Sequence, residues 1–228
     1  TGKFFNAGQT WIAPDYVLIP HSKRDEFVNL LRAEMQARYG SASAEKDRTT
    51  IINDAQEARL SELLADAANR SEVVIELPAG SEQPRSTAPA LVLEPDADST
   101  IMREEIFGPL LPIVSYRLLD DAIGFVLKLD RPLALYCFSD NTAEIEMMLS
   151  RIVAGGVSVN DTLYHFACSS LPFGGVGASG MGQYHGHDGF LTFSKAMPVL
   201  TKYAPAPSDL IKPPYTGLTD RLIRFIAR

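Results

Sequence analysis

Cysteine is scarce in this sequence, which carries only Cys137 and Cys168 among its 228 residues. Two thiols do not form a disulfide framework and suit a reducing compartment, so we expect a cytoplasmic protein. A run of about 18 apolar residues is also missing, and we expect neither a transmembrane segment nor a signal peptide. The net charge of -7, with scattered basic residues, leaves no basic surface and argues against a nucleic-acid partner.

What is present suits a globular chain with a sizeable core. Hydrophobic residues make up 46% of the sequence and charged residues 21%, and the length allows one large domain or two small ones. Thr1 leads almost directly into an ordered-looking motif. We therefore expect this chain to be part of something longer.

Apolar strands alternate with amphipathic helices along most of the sequence. Strands are predicted at 16–19, 73–77, 90–93, 111–116, 133–138 and 156–159, and helices at 23–39, 54–70, from 120 and at 141–152. This alternation predicts an α/β fold in which helices cover both faces of a parallel sheet. Most of these strands, 90–93 aside, are expected to share that one sheet. The segments 41–50, 78–86 and 160–189 are predicted to be loops.

The C-terminal part differs in composition from the rest. Residues 193–203 are predicted to form one more strand, and the four prolines within 205–216 predict an extended tail. A short basic amphipathic helix is predicted over 218–228, to contact a membrane surface, a partner subunit or the domain itself. The predicted domains are therefore 1–192 and 193–228.

The segment from Gly2 to Tyr16 has the features of a site-bearing turn. Gly8 allows a backbone conformation with positive φ, and Pro14 disfavours helix at Ala13. The resulting bend should present the peptide units of 10–12 at a surface or cleft. A bend of this kind exposes a side chain together with its backbone N–H, as a nucleophile with an oxyanion donor requires.

A second candidate segment, Glu104 to Pro109, joins an acidic turn to an apolar strand. A carboxylate here can accept hydrogen bonds from ribose hydroxyls, and the ring of Phe107 can pack against a planar cofactor head. The alternative is a solvated acidic turn that only precedes a strand.

The run Gly175 to Gly180 satisfies G-x-G-x-x-G, but its surroundings argue against a dinucleotide fingerprint. Such a fingerprint follows a buried strand and opens a helix, whereas Ser169 to Pro172 is no strand and Gly182 and Gly186 would disrupt a helix. The nearby histidines His165, His185 and His187, with Cys168 or Asp188, lack the spacing of a zinc site. We therefore predict hydrogen-bonded histidines and no metal.

Three of these segments resemble the NAD(P)-dependent aldehyde dehydrogenases, most closely the class 3 and coniferyl-aldehyde branch. The run Gly-Gln-Thr-Trp-Ile-Ala-Pro-Asp-Tyr is similar to the family's nucleophile segment, in which Cys stands at the position of Trp11. The run Glu-Glu-Ile-Phe-Gly-Pro resembles its cofactor motif, which implies that Glu105 holds the nicotinamide ribose and that Phe107 packs on the nicotinamide. Residues 171–182 match the signature beside its substrate channel, which implies that Phe173 lines the channel, with His185 and Cys168 nearby.

The resemblance runs from Gly2 to about Tyr203 and matches about the C-terminal half of a family member. It implies an α/β catalytic domain over 1–192 and oxidation of an aromatic or medium-chain aldehyde. In the family, a Cys thiolate forms a thiohemiacetal, hydride passes to NAD or NADP, and water hydrolyses the thioester. Trp11 keeps the backbone N–H that serves as oxyanion donor, but its indole N–H is a donor only and cannot form the adduct.

The resemblance also defines what this chain is expected to need. The N-terminal half would supply the dinucleotide domain, a water-activating Glu and an oxyanion Asn, so we expect this chain alone to be inactive and not to bind NAD(P). The implied partners are the aldehyde, that N-terminal half and a second copy in a homodimer. A different class of function stays open, namely a non-catalytic binding or assembly module that keeps the fold. The sequence upstream of Thr1 would separate the two.

Overall fold

The structure is a computed structural model that describes residues 1–40, 48–75 and 84–227. The predicted loops at 41–50 and 78–86 lie largely outside the described residues. The α-helices are α1 Arg24–Tyr39, α2 Asp54–Arg70, α3 Leu119–Leu127, α4 Thr142–Arg151, α5 Tyr164–Ala167, α6 Gly186–Thr192 and α7 Gly217–Ile226. The strands are β1 Val17–Pro20, β2 Glu72–Ile75, β3 Ala90–Leu93, β4 Leu110–Tyr116, β5 Ala134–Cys137 and β6 Gly156–Val159.

The α/β class is confirmed, but the strands do not share one sheet. Four strands pair in the order β1-β4-β3-β2, in which β4 is parallel to both β1 and β3, while β2 lies antiparallel to β3 at the edge. Strands β5 and β6 form a separate parallel pair. Of the five strands expected to share mostly one parallel sheet, β1, β2 and β4 do share a sheet, but β2 is antiparallel and β5 and β6 pair separately. An apolar run identifies a strand, but the unpaired groups of any sheet edge can accept it, so the run does not specify its neighbour.

Both faces of the four-stranded sheet are covered by helices, as the alternation in β3 requires. Ala90 and Val92 face a cluster that includes Leu60 and Leu63 of α2. Leu91, between them in sequence, packs instead in a cluster with residues of α1. Because successive strand residues point to opposite faces, one apolar strand can serve both helices.

The second half of the chain departs from the prediction in two places. The segment 160–189, predicted to be a loop, contains α5 and the start of α6. Both are short and interrupted by glycine or polar residues, so they carry no readable helical period. The strand predicted over 193–203 was wrong: these residues form no β-ladder. A strand exists only where a neighbour accepts its backbone hydrogen bonds, and hydropathy does not show one.

The described residues fall into two compact units, Thr1–Thr192 and Phe193–Arg228. In the second unit the predicted C-terminal helix is confirmed as α7, whose N-terminus is capped by Thr216 through the N–H of Thr219. Several apolar side chains of α7 are exposed, among them Leu218 and Phe225. Within the described ranges, no helix is both long enough and apolar enough to cross a membrane.

Candidate active site

The segment that carries Trp11 is an unusually constrained turn. Asn6, Ala7 and Gly8 are left-handed in succession, with φ values of 52°, 56° and 76°. A reverse turn follows, in which the Ala13 N–H donates to the Thr10 carbonyl over 2.9 Å. Trp11 stands at its apex with 72% of its surface exposed. The predicted bend is therefore present.

The reverse turn leaves backbone donors available. Within the part of the chain that the structure describes, the N–H groups of Trp11 and Ile12 donate to no backbone or side-chain acceptor. Free N–H groups at a turn apex can donate hydrogen bonds to an oxyanion. The side chain of residue 11 does not enter into this geometry.

Close packing holds this turn segment against the turn of Glu104 to Pro109, which is called the cofactor-motif turn below. A Cβ built on Gly8 would lie 2.2 Å from the Gly108 carbonyl oxygen, and one on Gly108 would lie 2.2 Å from Leu60 Cδ2. At Gly8 the obstacle is backbone and φ is positive, so only glycine fits there, whereas a side chain at Gly108 would have to displace Leu60. The Gln9 side chain adds two bonds, because it donates to the Thr50 carbonyl over 3.1 Å and accepts from the Ile52 N–H over 2.9 Å.

The cofactor-motif turn is held by side chains that form hydrogen bonds to its backbone. Arg59 donates to the carbonyls of Glu105 (3.3 Å) and Ile106, and Asp15 accepts from the Ile106 N–H at 3.1 Å. Ile106 is fully buried, whereas Glu105 is exposed. Phe107 is half-buried and has a φ of 47°, a rare value for an aromatic residue.

The electrostatics of this turn are set by burial and by Asp15. Partial desolvation, supported by the negative charge of Asp15, raises the pKa of the Glu105 carboxyl, against the opposing charges of Arg59 and Lys3. Lys3 is 5% exposed, and its Nζ lies 3.9 Å from Asp15 Oδ1. Burial lowers the pKa of Lys3 to about 8, although Asp15 and Glu105 act in the opposite direction.

An aromatic cluster forms the third part of the site. Phe173 is buried and its backbone pairs with Tyr184 in an isolated antiparallel bridge. Its ring contacts four aromatic neighbours, with centroid distances of 5.2 Å to Phe166, 5.6 Å to Tyr184 and 6.1 Å to His165 and His185. This group is called the aromatic wall below. Cys168 is exposed, and none of the ring contacts above involves it.

The histidines and glycines of this region have structural partners. His165 Nδ1 lies 3.0 Å from Ser158 Oγ, and His185 Nδ1 lies 3.1 Å from the Leu171 carbonyl oxygen. Gly177 and Gly180 pair in an antiparallel bridge, which confirms that this G-x-G-x-x-G run opens no helix. In the described part of the chain, no group of three or more potential ligands comes together to hold a metal ion.

The three predicted segments meet through their backbones and through linking side chains. The Trp11 turn contacts the Glu105–Phe107 turn at Gly8 and Gly108. Towards Phe173 the link is indirect, because Tyr136 donates from its hydroxyl to the Ile12 carbonyl over 2.7 Å and its ring contacts His165. The Trp11 ring makes no ring contact with Phe107 or Phe173 among the described residues, and the roles predicted for these residues remain predictions.

Four residues of this site escaped the sequence reasoning: Gln9, Asp15, Arg59 and Tyr136. Gln9 and Asp15 lie inside the Gly2–Tyr16 segment and could have been suspected from their position. Arg59 lies in an amphipathic helix and Tyr136 in an apolar strand, where nothing in the local pattern points to a contact 46 or 124 residues away.

Comparison with known proteins shows which family this chain belongs to. The sequence model described as "Aldehyde dehydrogenase family" matches residues 1–199. This chain belongs to the aldehyde dehydrogenase family. The family and its relatives here are NAD(P)-dependent oxidoreductases.

Two relatives and one solved structure illustrate the similarity. A probable coniferyl aldehyde dehydrogenase from Pseudomonas aeruginosa is 45% identical over 222 residues, which cover 97% of this chain and 46% of the relative. The dimeric NADP-preferring aldehyde dehydrogenase of Mus musculus is 43% identical over 85% of this chain and 42% of its own. The substrate-bound Staphylococcus aureus AldH structure has a TM-score of 0.80 and 38% identity, covering 100% of this chain and 49% of that chain. This chain thus spans about half the length of the family members it matches.

Proposed function

We propose that this chain is the C-terminal catalytic half of an NAD(P)-dependent aldehyde dehydrogenase that oxidises an aldehyde to the acid. The observation that carries the proposal is the Thr10–Ala13 turn. Among the residues that the structure describes, none accepts from the N–H groups of Trp11 and Ile12, and this turn packs, through Gly8, on the turn of Glu105 and Phe107. We assign the unit Thr1–Thr192 as the catalytic domain.

The residues of this chain fit the nicotinamide end of the cofactor. Glu105 offers an exposed carboxylate as acceptor for ribose hydroxyls, and Phe107 offers an aromatic ring beside it. When bound, NAD(P) supplies the hydride acceptor. What this chain contributes is the exposed carboxylate, the ring and a turn held in place by Arg59 and Asp15.

The reacting carbonyl would meet residue 11. With Cys at this position, the thiolate sulfur bonds to the aldehyde carbon, and the carbonyl π electrons move to the oxygen as a thiohemiacetal oxyanion. The free N–H of residue 11 stabilises that charge. Trp11 keeps the N–H but has no nucleophilic atom, so we propose that this chain is inactive as it stands.

The aromatic wall supports an aromatic or medium-chain aldehyde as the substrate. Phe166 and Tyr184 are exposed and pack around the buried Phe173, so their rings can pack against another flat apolar group. One relative is named for coniferyl aldehyde, an aromatic substrate. A homodimer is proposed from the mouse relative, whose name describes it as dimeric.

A non-catalytic binding or assembly module is the second candidate, and Trp11 is the observation that favours it. A bulky indole, 72% exposed at the turn apex, stands where the family's reactive thiol would meet the aldehyde. The fold can persist under such a change because the Trp11 side chain is not part of the core.

A two-by-two experiment tests the proposal. Residue 11 is Trp or Cys, and the chain is either these 228 residues or a longer protein that adds the cofactor-binding half. Formation of reduced cofactor is followed by absorbance with several aromatic aldehydes. Only the longer Cys form should turn over, because Trp11 offers no nucleophile for the covalent step and hydride transfer needs the cofactor-binding half.

The other outcomes are decisive as well. Turnover by a Trp11 form at either length would show that the reaction does not depend on a thiol at residue 11. Failure of the longer Cys form with every aldehyde would favour the non-catalytic module.

A further inference from the structure

The Tyr136 hydroxyl is the link between the Trp11 turn and the small sheet that carries the aromatic wall. Tyr136 lies on β5, 124 residues after Ile12 in sequence, and donates to the Ile12 carbonyl over 2.7 Å. Ile12 is buried, so its carbonyl would lose both water and partner if the phenol were removed. The contact is therefore costly to break.

This hydrogen bond lies in the same turn as residue 11 and therefore affects the orientation of its backbone. Trp11 and Ile12 are the two central residues of the turn that the Ala13–Thr10 bond closes. That bond fixes the two ends of the turn, and the Tyr136 bond fixes the peptide that follows Ile12. With both in place, the orientation of the free N–H groups at the apex is determined from two sides.

A residue with an unfavourable backbone conformation lies near the same tyrosine. Leu163 adopts a φ of 68°, which is unfavourable for a side chain of this size. Burial raises the pKa of Tyr136 to about 12, against a smaller lowering by the backbone of Leu163. The hydroxyl therefore stays protonated and able to donate.

Tyr136 also contacts the wall directly. Its ring packs edge to face against His165, with a centroid distance of 5.9 Å, and His165 contacts Phe173. The imidazole is buried and fixed at Nδ1 by Ser158. A displacement of the wall can thus reach the Ile12 carbonyl through one ring and one hydrogen bond.

We propose that Tyr136 is a positioning residue that orients the oxyanion-donating turn at residue 11 and couples it to the aromatic wall. This inference rests on the proposed function only where it assigns the turn a role in binding an oxyanion. The hydrogen bond and its effect on the turn can be tested without catalysis.

The first test uses the chain with Trp11 in place. Tyr136→Phe removes only the hydroxyl, and Tyr164→Phe is the matched control, since Tyr164 is exposed next to Leu163. We expect Tyr136→Phe to speed amide hydrogen exchange at Ala13 by about tenfold, the scale of one lost hydrogen bond, while Tyr164→Phe leaves it unchanged. Equal Ala13 exchange in both variants would overturn the proposal.

A measurement on the unaltered chain covers the case in which Tyr136→Phe does not fold. In the NMR spectrum, the Ile12 carbonyl carbon should show an isotope shift when the Tyr136 hydroxyl proton is replaced by deuterium. A carbonyl that shows no such shift would contradict the bond itself.

The second test asks whether the turn acts on an oxyanion. In a Trp11→Cys chain, the thiol first loses its proton to the buffer, and p-nitrophenyl acetate then acylates the thiolate: the sulfur bonds to the carbonyl carbon, an oxyanion forms, and p-nitrophenolate leaves. Iodoacetamide alkylates the same thiol by displacing iodide without any oxyanion. Peptide mapping separates residue 11 from Cys137 and Cys168.

Adding Tyr136→Phe should slow acylation about tenfold and leave alkylation unchanged, because only acylation needs the oriented N–H groups. An equal fall in both rates would assign Tyr136 to folding or exposure and overturn the proposal, as would no change in acylation. If the Trp11→Cys thiol is acylated no faster than Cys168, the oxyanion role in the proposed function fails, and the positioning role is then decided by Ala13 exchange alone.

Discussion

Lys3 is a charged side chain that is almost entirely enclosed, beside the turn of Glu105 and without a hydrogen bond to Nζ among the described residues. Its pKa of about 8 in the folded chain lies below the ordinary 10.5, mainly through burial. Below pH 8 both the folded and unfolded chains carry the proton, and folding bears the cost of the buried charge. Between pH 8 and 10.5 the unfolded chain binds more protons than the folded chain, so the free energy of unfolding increases as pH rises.

Lys3→Met should remove this pH dependence. From pH 7 to pH 10.5, the unfolding free energy of the unaltered chain should rise by about 3 kcal/mol relative to that of the variant, from a difference of 10.5 and about 8 in pKa. Urea unfolding at four pH values measures both curves. The exposed Lys23→Met serves as control and should run parallel to the unaltered chain. Parallel curves for Lys3→Met would contradict the lowered pKa.

Arg59 carries a second prediction at the residue scale, because it serves two backbone carbonyls at once. Arg59→Met should reduce the free energy of unfolding by about 2–3 kcal/mol, since the buried Ile106 carbonyl loses its charged donor. Arg103→Met, which breaks an exposed ion pair with Asp98, should cost less than about 1 kcal/mol. Chemical denaturation of both variants gives the comparison, and equal losses would show that the Arg59 bonds add nothing.

At the scale of elements, the helices were predictable and the sheet partners were not. The apolar spacing of Leu60, Leu63 and Ala67 identifies α2 and its buried face, and the structure bears this out. Strands β5 and β6 were predicted as strands, but they pair with each other and not with the sheet of β1. The local sequence pattern of a strand does not encode which strand becomes its neighbour. Likewise, the segment 193–203 has strand-like residues but no ladder.

The contact between two turns gives a prediction at this scale. Gly8→Ala places a methyl group 2.2 Å from the Gly108 oxygen at a φ of +76°, so we expect a loss of about 3 kcal/mol in unfolding free energy. Gly124→Ala, inside α3 with nothing within 4 Å, should instead gain about 0.5–1 kcal/mol. Thermal unfolding separates the two. A neutral Gly8→Ala would mean that the turns do not approach as closely as the structure has them.

For the whole molecule, sequence reasoning proposes site residues where a motif is contiguous and misses those that tertiary packing brings in. Phe107 and Phe173 were proposed because each lies inside a short recognisable run. The turn of Phe107 contacts the Trp11 turn at Gly8 and Gly108, whereas Phe173 is linked to it only through His165 and Tyr136. Tyr136 and Arg59 reach the site from an ordinary strand and helix. Tertiary packing brings these two residues to the site, and the sequence around each of them does not show it.

The cofactor provides the last prediction, because Trp11 is the only tryptophan of this chain. Reduced nicotinamide absorbs light where tryptophan emits, so a cofactor bound beside residue 11 should quench Trp11 fluorescence by energy transfer. In the longer protein, the difference between the Trp11 form and Trp11→Phe isolates this signal. It should fall saturably as reduced cofactor is added, whereas the 228-residue chain should show no saturable change.

Two variants locate the contact. Glu105→Gln should raise the dissociation constant about tenfold in the longer protein, because a charge-assisted hydrogen bond to the ribose becomes a neutral one. Glu104→Gln, the exposed neighbour, should leave the constant unchanged. If the two variants bind equally, Glu105 is not the ribose acceptor. Saturable quenching in the 228-residue chain would show that this half alone holds the cofactor, and the N-terminal half would then be needed for chemistry rather than for binding.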